Sequence, residues 1–154
     1  MAHQPPHLRL RKHLDGDVEP ALWPKGIAPT ALEAIDARKA HGVLELAFPG
    51  QVAPFSDWYG NLTQDSEFDP SLCVAAVTPD GQVAGFVQCW TSNFVKDLAV
   101  APDYRRHGIG AALMNHAFAL FVARGAPHVD LKVLTEEAPA RRFYARVGMV
   151  EVPD

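Results

Sequence analysis

The chain has 154 residues, 48% of them hydrophobic and 21% charged, with a formal net charge of −4. That length suits one domain, residues 1–154, with a sizeable core, and the acidic balance disfavours bulk binding to nucleic acid or to an anionic membrane. Two cysteines, Cys73 and Cys89, supply no disulfide framework and sit in apolar runs, so buried thiols are expected.

No apolar run reaches membrane-spanning length. The start, Met-Ala-His-Gln-Pro-Pro-His, lacks the apolar core of a signal peptide, so a cytoplasmic protein is expected by default. Residues 1–7 are expected to be disordered. The seven histidines show no spacing that gathers metal ligands, and no metal is expected.

Leu8–Leu14 alternates apolar and charged residues, as a half-buried strand does. Pro20, Pro24 and Pro29 mark an irregular stretch. Thr30 and Glu33 read as a capping box for a helix over 31–41, which Gly42 would end. Residues 43–54 carry no clear period. Ser56 is placed to cap a second helix over 57–64.

Then the period changes. Leu72–Thr78 is a continuous apolar run, and Pro79-Asp80-Gly81 is a turn signal. Val83–Trp90 is the return strand, and Phe94–Val100 a third strand stopped by Pro102. Ile109, Leu113, Ala117, Leu120 and Phe121 recur at helical spacing over 109–124, with Gly125 and Pro127 behind them. A strand over 128–134, a helix over 138–147 and a short strand over 149–152 complete the chain. The strand–helix–strand unit 94–134 implies a right-handed crossover and locally parallel pairing. The expected class is α/β (α+β): a mixed, mostly antiparallel sheet of about six strands flanked by helices.

The segment Arg105-Arg-His-Gly108-Ile-Gly110 between strand and helix carries the chemistry. Its glycines admit close backbone approach. The first helical N–H groups lack intrahelical partners, and the helix dipole favours an anion there. Arg105 and Arg106 add phosphate-binding donors. The string is neither a Walker loop nor the dinucleotide Gly-x-Gly-x-x-Gly fingerprint. A surface helix capped by a basic turn is the bland alternative.

A second segment, Glu137-Ala-Pro-Ala140-Arg-Arg-Phe-Tyr144-Ala-Arg-Val-Gly148-Met149, follows at a telling distance. Together the two segments resemble the GCN5-related N-acetyltransferase (GNAT) superfamily over residues 94–152. There the first motif is Arg/Gln-x-x-Gly-x-Gly/Ala and the second Asn-x-x-Ala-x-x-x-Tyr-x-x-x-Gly-Phe. Glu137 and Met149 depart from the usual Asn and Phe. The resemblance implies acetyl-CoA as donor, with a fold that normally ends in a longer sixth strand and a seventh strand. The stop at Asp154 leads to the expectation that the last strand is lacking, and a homodimer is one way to cover the edge so exposed.

By the same resemblance the cofactor-binding residues are Leu98, Ala99, Val100, Arg105, Arg106, His107, Gly108, Ile109, Gly110, Ala111, Ala140 and Phe143. An N–H near Leu98 is the implied oxyanion donor. Tyr144 matches the position that protonates the leaving thiolate, and its alternative is a core tyrosine. Asp97 is the implied base, and its alternative is a strand aspartate paired with Lys96 or Arg105. A water chain ending at Glu45, Asp57 or Glu67 is another source of a base. Trp90, Trp58, Tyr59 and Phe55 line an acceptor pocket or belong to the core. The expected reaction is acetyl transfer to a primary amine of a small molecule. A peptide or protein acceptor, and a non-catalytic acyl-CoA-binding module, are the alternatives.

Overall fold

The apolar run after Leu72 becomes an inner strand because both of its faces are covered. The computed structural model describes residues 6–154. Seven strands form one sheet: β1 (His7–His13), β2 (Ala28–Ala31), β3 (Cys73–Val77), β4 (Val83–Trp90), β5 (Phe94–Val100), β6 (His128–Leu134) and β7 (Val150–Val152). Their order is β2-β3-β4-β5-β6-β1-β7. Only the β5–β6 pairing is parallel. The helices are α1 (Ala37–Ala47), α2 (Phe55–Gln64), α3 (Ile109–Ala123) and α4 (Ala138–Arg146). None is long and apolar enough to cross a membrane.

Side chains alternate across β4 and so feed two cores. Phe86 joins Leu44, Trp58 and Leu62 from α1 and α2. Val87 and Cys89 join Leu113, Met114 and Phe118 of α3. Each fully buried phenylalanine, such as Phe86 or Phe118, contributes roughly 2–3 kcal/mol by transfer from water. A Cβ on Gly85 would stand 3.0 Å from Ile109 Cγ2 and from Leu113 Cδ1. The missing side chain therefore lets the first turns of α3 sit directly on β4. Cys73 and Cys89 are both buried, and burial pushes the Cys73 thiol up to about 12.

Besides α2, which starts at Phe55 behind an N-cap at Pro54 with no side-chain cap bond and so holds Ser56 inside the helix rather than as its cap, the chain departs from its local signals at two places. Residues 28–31 form an edge strand on β3, with Thr30 opposite Ala75, rather than a helix start. Pro29 is tolerated because an edge strand has one unpaired side. The helix begins later, where the Asp36 side chain accepts from the Arg38 N–H at 3.0 Å, and it runs through Gly42 to Ala47. Gly42 has open space around it, so it costs helix propensity of about 1 kcal/mol without a clash. β2 also brings the sheet to seven strands instead of about six.

The second departure concerns β1. It lies between β6 and β7, paired with β6 from His7↔Leu134 to His13↔His128 and with β7 at Arg9, Leu10 and Arg11. The chain's own first strand thus flanks β6, and the sheet ends on this side at the three-residue β7. His7, expected in a disordered start, belongs to this strand, and residues 1–5 lie outside the described residues. An ion cluster holds the strand in place. Asp130, 1% exposed, accepts from Arg9 Nε at 2.7 Å and from Arg11 Nε at 2.8 Å. Burial alone would raise the Asp130 carboxyl, but the hydrogen bonds from Arg11 and Arg9 outweigh it and hold the group below its ordinary value.

Candidate active site

Beyond one point, β5 and β6 part. Their only paired residues are Phe94 and Asp130, where the Asp130 N–H donates to the Asn93 carbonyl at 2.9 Å. On its other edge β5 stays on β4 as far as Gly85↔Val100. The Ala101 N–H donates to Ala84 O at 2.8 Å. Strand alternation then turns the N–H groups of Leu98 and Val100 toward β6, where no strand pairs with them. A register shift puts Gln88 opposite Asp97 but Cys89 opposite Val95, so Lys96 is the extra residue of a bulge. Such bulges bend a strand and re-aim its side chains.

The splay opens toward the basic turn. Gly108 caps α3 at φ 84°, and Arg106 holds φ 67°, a left-handed conformation that is uncommon for a residue with a Cβ. A cleft of about 720 Å³ lies here, lined by Val100, Arg105, Arg106, Gly108, Ile109, Gly110, Ala111 and Phe143 among the residues singled out from sequence. The Arg105 guanidine donates through Nε to the Val100 carbonyl at 3.3 Å. A Cβ on Gly110 would lie 3.4 Å from Phe143 Cζ and 3.6 Å from Val100 Cγ2, which places the glycine at the cleft wall. His107 is exposed and Ala140 is half-buried against the core, both outside the lining. Leu98 and Ala99 are also outside it, half-buried and buried respectively.

The structure adds Lys12, Glu19, Tyr104, Asn115, Arg146, Val147 and Gly148 to this cleft. Asn115 lies one helical turn past Ala111, so its placement was available from spacing. Lys12 carried no such signal, because only the insertion of β1 beside β6 brings it there. Its Nζ donates to the Val147 carbonyl at 3.2 Å.

On the opposite face of the sheet lies a second cavity of about 490 Å³. Trp58 and Trp90 line it with Leu44, Asn61, Asp65, Gln88, Lys96 and Asp97. Lys96 Nζ stands 3.1 Å from Asp97 Oδ2. Phe55 and Tyr59 stack on each other at 5.4 Å and remain outside the lining. Glu45, Asp57 and Glu67 do not line the cavity either, and Glu45 meets His41 Nδ1 at 3.3 Å. That buried histidine also bonds through Nε2 to the Ala53 carbonyl at 2.8 Å, which fixes the loop forming one wall.

Tyr144 is half-buried on α4, edge-on to Phe143 at 5.2 Å. Burial first, and the charge of Asp97 second, push its phenol up to about 12. The two groups proposed for acid and base chemistry therefore sit within electrostatic reach of each other.

An open mixed sheet, a splayed parallel pair and an anion nest at a helix N-terminus make up the architecture implied for acetyl-coenzyme A transferases. The model of the Acetyltransferase (GNAT) family matches residues 40–149, and the chain belongs to that family. A streptothricin acetyltransferase of Streptomyces lavendulae is 37% identical over 110 residues, covering 66% of this chain and 58% of that protein. A mycothiol acetyltransferase of Clavibacter michiganensis is 32% identical over 131 residues, covering 81% of this chain and 43% of that protein. The chain therefore spans about half the length of these curated relatives. The crystal structure of a GCN5-related N-acetyltransferase from Sphaerobacter thermophilus superposes with a TM-score of 0.84 at 26% identity, covering 95% of this chain and 48% of that one.

Proposed function

We propose that this chain is an acetyl-CoA-dependent N-acetyltransferase acting on a small-molecule amine. One observation carries the reading. Asp97, its carboxylate 3.1 Å from Lys96 Nζ, lines the 490 Å³ cavity, while the next residue, Leu98, turns its N–H to the splay between β5 and β6. A base on the acceptor side and a hydrogen-bond donor on the donor side thus come from adjacent residues.

The cleft at the start of α3 fits the pyrophosphate of coenzyme A. Unpartnered helical N–H groups, Gly110 at the wall and four cations (Lys12, Arg105, Arg106 and Arg146) face it, against the single acid Glu19. Acetyl-CoA would supply an electrophilic thioester carbonyl. An ammonium entering the cavity meets Asp97, which accepts its proton and leaves the neutral nitrogen able to attack. The Leu98 N–H is aimed to stabilise charge on the carbonyl oxygen. Tyr144 keeps its proton far above neutral pH and is the donor to the leaving sulfur.

The cavity volume lies in the range of small-ligand sites. Relatives named for streptothricin and mycothiol favour a small acceptor. A relative in Escherichia coli, 38% identical over 45% of this chain, is a peptidyl-lysine N-acetyltransferase. Release of free coenzyme A thiol, followed with small amines and with lysine peptides, separates the two acceptor classes. The reading expects small amines to turn over at least about tenfold faster. Faster turnover of peptides overturns the small-molecule acceptor.

A further inference from the structure

Gln88 is 1% exposed and lines the acceptor cavity. Among the described residues its Nε2 has no hydrogen-bond partner. A buried donor left without a partner costs about 1–3 kcal/mol, and native chains keep few of them. This donor sits on β4 directly opposite Asp97 on β5, so both side chains project from the same face of the sheet. Opposed Cβ atoms stand roughly 4.5–5.5 Å apart.

We infer that Gln88 is a specificity-determining residue whose Nε2 donates to an uncharged oxygen of the acceptor, while Asp97 engages its amine. The inference rests on the acetyltransferase reading. The short spacing between the two side chains requires amine and oxygen to lie only a few bonds apart. The charged groups lining the cavity are Asp65, Asp97 and Lys96, an acidic balance that suits a cation without a carboxylate. Trp58, Trp90 and Leu44 supply apolar walls for a compact carbon frame. The substrate class is a 1,2- or 1,3-amino alcohol, as in amino sugars, rather than a plain alkylamine.

The test compares 2-aminocyclohexanol with 2-methylcyclohexylamine, where a methyl group replaces the hydroxyl. The two amines differ in basicity, so the readout is how their kcat/KM ratio changes between the native protein and Gln88→Met. Met keeps the side-chain length and removes the donor. The ratio is expected to fall at least about tenfold toward the methyl compound, the size of one lost buried hydrogen bond. Coenzyme A affinity stays unchanged, and Tm is unchanged or raised because an unsatisfied donor has gone. An unchanged ratio overturns the inference, and so does a Tm lowered by more than about 5 °C, which marks a structural glutamine. Lack of turnover with both amines overturns it as well. Turnover of a diamine such as putrescine would then leave the acetyltransferase reading standing without this specificity.

Discussion

The cleft proposed for the donor and the cavity proposed for the acceptor lie on opposite faces of the same strand and are built in opposite ways. The donor side comes largely from one stretch, Val100 to Ala111, and its working groups are backbone N–H donors that glycine leaves accessible. The acceptor side is assembled from α1, α2, β4, β5 and the loop at Gln51–Ala53, and its working groups are side chains. Backbone recognition suits a donor that is always the same molecule. Side-chain recognition lets the acceptor change without disturbing the donor site.

A substitution at Asp130 should break both sides together, because this residue pins β6 where the strands part. Removing one partner of a buried ion pair leaves its partners uncompensated. Both arginine side chains are about 30% exposed, so Asp130→Ala is expected to lose about 2–3 kcal/mol in urea unfolding, less than for a fully buried pair. The carboxyl is held below its ordinary value in the fold. Its stabilisation is therefore present above the unfolded value of about 3.9 and lost as pH falls through the lowered folded value. The native protein should show a steeper loss of stability on acidification there than Asp130→Ala.

Tyr144→Phe sharpens the comparison from within the chemistry. Its kcat is expected to fall about a hundredfold, while coenzyme A binds as before. Unchanged turnover would remove the tyrosine from the proton path. Because the phenol is pushed up to about 12, its deprotonation produces no descending limb in the native rate profile up to about pH 10. Asp97→Asn acts on the acceptor side, with an expected loss of about thirtyfold in kcat/KM for the amine and no change in coenzyme A affinity. A parallel loss of coenzyme A affinity would show that the two sides are not separate.

The smallest effect is expected at Gly110. An added Cβ meets Phe143 and Val100 at ordinary contact distances, so Gly110→Ala should fold as well as the native chain or gain about 0.5–1 kcal/mol of helix propensity. The same methyl narrows the cleft, and coenzyme A affinity should drop about fivefold in calorimetry. A weaker fold with unchanged affinity would reverse this assignment.

The same contrast explains what could be read from the residues alone. The turn leading into α3 was legible as structure because its signals are local: a strand end, two glycines and two arginines within a few positions. Helices α3 and α4 and the β3–β4 hairpin were legible for the same reason. Thr30 and Glu33 mimic a capping box, yet pairing with β3 decides that segment and Asp36 supplies the cap. Tertiary pairing overrides a cap signal worth about 1 kcal/mol. Lys12 entered the donor cleft only through the long-range insertion of β1. Gln88 sits inside an apolar strand, and nothing in its neighbours marks which side chains will face a cavity. Trp58 and Trp90 line that cavity whereas Phe55 and Tyr59 do not, a distinction of helix face and strand end that composition does not contain.

The most direct test of the two-sided account is calorimetric titration of acetyl-CoA into the native protein and into Asp97→Asn. The account predicts binding in the micromolar range with the same affinity for both. No binding to the native protein up to about 1 mM, weaker than about −4 kcal/mol, would contradict the central claim.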